Sequence, residues 1–182
     1  MNRKALVAAG AGLALLTPLA PAAASAVQGQ DAKPTARSQD GPSAQAISRA
    51  TVIKRAKTWL TANNGSQVPY SQSKTFQGYR TDCSGYASMA LKYGKPGTNT
   101  VGLATSDFTS KIKMANLKKG DLVIDAKGSN TTRHVVIFEK WTSSAKNKYW
   151  AYEQRGGHGT DHRKLTYGLG SDEFDAYRPK KY

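Results

Sequence analysis

Thr81-Asp82-Cys83-Ser84-Gly85-Tyr86 is the stretch on which the reading of this chain turns. It holds the only cysteine among 182 residues. The residues before it, Gln77-Gly78-Tyr79-Arg80, are polar and turn-rich. After it, Tyr86, Met89, Ala90 and Tyr93 recur at helical spacing. Asp82 is a good N-cap, and Gly94 followed by Lys95-Pro96 is a good stop. Cys83 is therefore expected in the first turn of a short helix. Free backbone N–H groups and the positive dipole end favour a thiolate there. The same N–H groups are placed to stabilise an oxyanion. The competing reading is an inert, buried structural cysteine. Choosing between them requires a base.

The start of the chain reads as a secretory signal. Arg3-Lys4 supply the charged region, Ala5 to about Leu19 the apolar region, and Ala24-Ser25-Ala26 the small-residue cleavage site. The apolar run is interrupted by Gly10, Gly12 and Pro18 and is short for a membrane span. The expectation is a secreted or extracellular protein, possible wall association included, with residues 1–26 removed and no transmembrane segment left. One cysteine in an exported chain leaves no internal disulfide, which raises the odds that the thiol does chemistry.

The charge is strongly positive, 27 Lys+Arg against 12 Asp+Glu. Removing Arg3 and Lys4 leaves a net charge of about +13. Such a field favours anionic partners, of which peptidoglycan or another anionic cell-wall polymer is the expected one outside the cell. The basic residues are scattered and form no nucleic-acid-binding motif, so no nucleic acid is expected. The expected state is a monomer without a cofactor.

Residues 27–45 are rich in Gly, Pro, Ser, Gln and Ala and read as a flexible linker. Residues 46–182 form the domain. Its first element is an amphipathic helix over Ala46–Ala62, with Ile47, Ala50, Ile53, Ala56, Trp59 and Leu60 on one face. Val68-Pro69-Tyr70-Ser71 is extended and leads toward the cysteine. A second short helix is expected over Thr105–Met114. Strands follow at Leu122–Ile124, His134–Trp141, Tyr149–Gln154 and Phe174–Arg178, with the second of these central because it is apolar on both faces at its start. Helices first and an antiparallel meander afterwards make an α+β arrangement, with N-terminal helices packed on a central antiparallel sheet.

A cysteine nucleophile wants a histidine base and a third group to hold it. His134 opens the central strand, a rigid position. His158 and His162 are placed in or beside the Gly-rich loop 155–159, which suits preorganisation less well. Pairing the two long strands with His134 opposite Glu153 sets Trp141 against Lys146 across a four-residue loop. Glu153 then accepts from the imidazole. A slip of one residue puts Gln154 there instead. His158, Asp161 and His162 do not match common metal-ligand spacings, and no metal site is expected.

Taken in order, these residues resemble a known group. Pro69-Tyr70, Asp82-Cys83-Ser84-Gly85, Gly120-Asp121-Leu122-Val123 and His134-Val135-Val136-Ile137 are similar to the landmarks of the NlpC-type cell-wall cysteine peptidases. Tyr152-Glu153-Gln154 looks more like the Glu-bearing strand of the neighbouring CHAP amidases. The resemblance spans about Ala46 to Pro179. It implies a papain-like α+β fold, Cys83 as nucleophile, His134 as base, Glu153 or Gln154 as the third residue, and hydrolysis of amide bonds in peptidoglycan stem peptides. It also implies Tyr70 as a residue lining the substrate site, where Asp82 and Ser84 flank the nucleophile. NlpC-type enzymes often carry His at the third position, a departure that leaves the third residue and the bond cleaved open. The alternatives are a secreted cysteine amidase, acyltransferase or toxin acting on a non-wall substrate, and a non-catalytic basic wall-binding protein.

Overall fold

The structure, a computed structural model, describes residues 46–182. The expected signal peptide and linker lie outside the described residues. Helix α1 runs Arg49–Thr58, shorter at both ends than its apolar pattern, with Ser48 as N-cap accepting from the Thr51 N–H. A two-residue hairpin follows, β1 (Thr75–Phe76) and β2 (Tyr79–Arg80). Its turn residues, Gln77 and Gly78, both have positive φ (53° and 83°), the twist a two-residue hairpin requires.

Helix α2 spans Cys83–Ala90, and each of its residues is buried. It lies between α1 and the sheet. Tyr86 packs against Trp59 with ring centroids 5.5 Å apart, and its hydroxyl donates to the Ala56 carbonyl at 2.8 Å. Such close approach has a steric condition: a Cβ on Gly85 would overlap the backbone carbonyl of Arg80. A single-turn helix α3 (Thr100–Leu103) comes next.

Thr109–Ile112, expected as part of a helix, is a strand, β3, paired antiparallel with the C-terminal strand. Pairing with a distant strand overrides the local helical spacing. Strands β4 (Leu122–Asp125), β5 (His134–Trp141), β6 (Tyr149–Arg155), β7 (Gly159–Leu165) and β8 (Asp175–Pro179) complete a six-stranded antiparallel sheet in the order β3-β8-β4-β5-β6-β7. The segment after Arg155, read from sequence as loop, turns at once into β7.

The sheet is buried on both faces near its centre. Leu122, Ile124, Val135, Ile137 and Tyr152 pack against the helices. Val123, Val136, Phe138, Tyr149 and Ala151 pack on the other side under Tyr167, Leu169 and Phe174. Helices gathered on one face of an antiparallel sheet are the expected α+β arrangement.

One buried carboxylate ties the termini of the domain together. Asp121, inaccessible to solvent, receives Arg49 from the start of α1 at 2.7 Å and Arg178 from β8 at 2.9 Å. It also accepts the Lys118 N–H at 2.9 Å. Gly120 before it takes φ +85° and leaves room for the Tyr182 hydroxyl, which donates to the Gly120 carbonyl at 2.7 Å. No helix among the described residues is long and apolar enough to cross a membrane.

Candidate active site

Asp82 sits in extended backbone and caps α2, accepting the Gly85 N–H at 2.6 Å. The first-turn N–H groups of Cys83 and Ser84 have no acceptor within the helix, as at any helix start. Cys83 Sγ lies at that end, 3.8 Å from Thr100 Oγ1 and 4.0 Å from the Arg133 carbonyl. Its residue is 5% exposed, but it lines a depression of about 230 Å³ together with Tyr70, Arg80, Asp82, Asn99 and Thr100.

His134 opens β5 beside this depression. Its Nε2 is 2.8 Å from Glu153 Oε2, and Cys83 is near enough to the imidazole to act on its pKa. With Nε2 engaged by the carboxylate, Nδ1 is the nitrogen that remains for the sulfur. Burial disfavours the imidazolium, but its interactions with Cys83 and Glu153 outweigh it, and the pKa is raised to about 9. Tyr167 and Phe174 wall the ring edge-on, with centroids 6.0 and 6.4 Å away. Those two rings fix the plane of the imidazole as well as shielding it.

Glu153 is fully buried. Burial alone would raise its pKa, but hydrogen bonds from His134 and Arg163 reverse the direction and keep it below the ordinary carboxylate range. The Arg163 guanidinium in β7 donates to Glu153 Oε1, opposite the oxygen that meets His134. A carboxylate clamped on both oxygens holds one orientation and remains ionised.

The strand register differs from the expected one. Val136, not His134, lies across from Glu153, and the two long strands are joined by seven residues, 142–148. An irregularity between Phe138 and Lys140 adds one residue to β5. The net displacement at His134 is two residues, so the face is preserved and the pair meets on a diagonal.

Gln154 projects to the opposite face, away from His134. Its side-chain amide donates to the carbonyls of Val68 (3.0 Å) and Thr81 (3.1 Å) and its oxygen accepts from Thr160. It thus braces the two segments that carry Tyr70 and Cys83. Asp82 and Ser84 line the depression but also hold one another: Ser84 Oγ donates to Asp82 Oδ1 at 3.0 Å, and Arg80 Nε donates to Asp82 Oδ2 at 2.7 Å. Tyr70 stands on the rim. Burial first, then the charges of Cys83 and Asp82, push its phenol up, against a hydrogen bond from Gln72.

His162 is a strand residue and not part of a loop. It is stacked between Trp150 and Tyr152 and bonds Glu139 at 3.0 Å. Among the described residues no group of three or more His, Cys, Asp or Glu side chains is placed to hold a metal. Sequence reasoning missed Arg163, Thr100, Tyr167 and Arg133. Only Arg163 had a signal: recognising β7 would have set it beside Glu153.

The arrangement of helices and sheet is an NlpC-type fold. A crystal structure of an NlpC/P60 family protein from Bacillus cereus ATCC 10987 superposes with a TM-score of 0.50 at 19% identity, over 73% of this chain. A Staphylococcus aureus Mu50 protein, described as similar to lipoprotein of the NLP/P60 family, covers 71% of this chain at 19% identity and a TM-score of 0.47. The chain spans 40% of the length of each of these two proteins. Neither is described as a CHAP protein, so the likeness seen in Tyr152-Glu153-Gln154 remains one of sequence. No family model matches the sequence, and no curated protein matches it significantly.

Proposed function

We propose that the chain is an exported cysteine hydrolase that cleaves amide bonds in peptidoglycan stem peptides. The observation that carries this is the imidazole of His134, held at 2.8 Å by a buried, ionised Glu153 and near enough to the lone sulfur of Cys83 for the sulfur to raise its pKa. That is the set a nucleophile, base and orienting group require. In the first step Cys83 Sγ attacks the amide carbonyl carbon. The developing oxyanion faces the N–H groups of the first turn of α2. The C–N bond then breaks, and His134 gives its proton to the departing amine. A thioester remains on Cys83. Water attacks it while His134 takes a proton. The C–S bond breaks, the new carboxyl group departs, and the thiolate–imidazolium pair is restored.

The wall as substrate is supported by the NlpC-type fold, by the signal-like residues 1–26 and by the net charge of about +13 on the remainder, which draws the chain to an anionic polymer. Purified peptidoglycan digested with wild type and with Cys83→Ala tests it. Wild type is expected to release peptide fragments with new amine and carboxyl ends, and the variant none. Equal release by both would refute the proposal.

A further inference from the structure

Two depressions meet along one wall. The first holds Cys83. The second, about 350 Å³, holds His134, Glu153, Arg155 and Arg163. Arg133 lines both, beside Tyr70 and Gln72. Most charges along this cleft are matched. Arg80 donates to Asp82, and its remaining bonds go to Ser84 and to the carbonyls of Gly97 and Thr98. Arg163 is paired with Glu153, and Arg155 with Asp161 at 2.8 Å.

Arg133 differs. Its Nη1 donates to the Gly128 carbonyl at 3.0 Å and its Nη2 to the Asn130 side-chain oxygen, both neutral acceptors. No carboxylate among the described residues lies within ion-pair distance of it. A guanidinium carries five N–H donors, so three remain for a ligand. Asp82, meanwhile, is satisfied by Arg80, Ser84 and the Gly85 N–H, which leaves it a poor acceptor for an incoming ammonium group. The Arg133 backbone carbonyl is 4.0 Å from Cys83 Sγ, so the free guanidinium belongs to a residue that adjoins the nucleophile.

We infer that Arg133 is a specificity-determining residue that makes the cleft beside Cys83 selective for an acyl group bearing a free carboxylate. For peptide substrates this rests on the hydrolase reading above; for small reagents it stands alone. A carboxylate meets the open edge of the guanidinium in a charge-assisted, two-point contact while its neighbouring carbonyl faces the sulfur. A carboxamide of the same shape lacks the charge.

The test uses Cys83 as the single thiol of the chain. Rates of alkylation by iodoacetate, an anion, and iodoacetamide, its neutral counterpart, are measured for wild type, Arg133→Gln and Arg133→Lys. The His134 imidazolium also attracts anions, but equally in all three proteins. The iodoacetate-to-iodoacetamide rate ratio is expected to fall about 5–10-fold in Arg133→Gln and to be partly kept in Arg133→Lys, which retains a point charge. An unchanged ratio in Arg133→Gln, or exclusion of both reagents by the wild type, overturns the inference. A peptide pair differing only in a carboxylate or carboxamide on the acyl residue gives the second arm. Loss of the carboxylate preference in Arg133→Gln supports the inference, and a preference independent of residue 133 overturns it. If wild type cleaves neither peptide, the hydrolase reading fails, and the alkylation ratio decides the role of Arg133 unaided.

Discussion

His134 Nε2 and Glu153 Oε2 lie 2.8 Å apart on a diagonal between neighbouring strands. The imidazole is thereby fixed at one nitrogen by a carboxylate that cannot rotate, because Arg163 holds its other oxygen. The remaining nitrogen is left to the sulfur. The consequences can be measured.

The first concerns the alkaline limb of activity. The mechanism needs the imidazolium as acid to the leaving amine, so kcat/KM should fall above pH about 9, where His134 loses its proton. Glu153→Gln removes a charge that favours the imidazolium. The limb should then move to lower pH, and activity should drop about 10-fold or more. A pH–rate profile of both proteins checks this. Superimposable limbs would remove Glu153 from the mechanism.

Stability should follow the same groups. The His134 pKa is raised on folding from 6.5 to about 9, so its contribution is complete below pH about 6.5 and disappears as pH rises through 9. Glu153 is shifted downward, so its contribution is present above its ordinary value of 4.5 and is lost as pH falls through its lower folded value. Thermal unfolding from pH 6 to 10 should show a falling Tm in wild type and a flatter curve in His134→Gln. Parallel curves would contradict the coupling.

Gln154 should matter to stability more than to chemistry. Gln154→Ala removes one donor from each of the buried Val68 and Thr81 carbonyls and the nearer acceptor of the buried Thr160 hydroxyl. The expected cost is about 2–3 kcal/mol, from the lost hydrogen bonds and the cavity together. Denaturant unfolding reads it directly.

Asp121→Asn should be worse. It leaves the partly exposed Arg49 and Arg178 facing a neutral amide at a position that is itself closed to solvent. Breaking one side of a fully buried pair costs about 3–5 kcal/mol, and with both guanidiniums partly solvated the expected loss is about 3 kcal/mol. A variant within about 1 kcal/mol of wild type by denaturant unfolding would show that these pairs contribute little.

Much of this was legible in the residues. The span of β5, His134–Trp141, follows from its β-branched and aromatic run, and Asp82 caps α2 as its type suggests. The face shared by His134 and Glu153 was legible because strand periodicity is two. Their register was not, because the irregularity near Glu139 and the seven-residue connection depend on how Trp141 and Tyr149 pack. Thr109–Ile112 was misread because its strand exists only through pairing with β8, some seventy positions away. Arg133 and Arg163 were hidden by the composition itself. In a chain with 27 basic residues, sequence does not mark which arginine meets a carboxylate and which is left free.

The most direct measurement is intact-protein mass spectrometry after brief exposure to an activated acyl ester such as a p-nitrophenyl ester. Wild type should gain the acyl mass on Cys83 with release of nitrophenolate and then lose it to water. His134→Ala should acylate about 100-fold more slowly. Absence of the acyl group from Cys83, or equal acylation rates in the two proteins, would contradict a working pair of sulfur and imidazole.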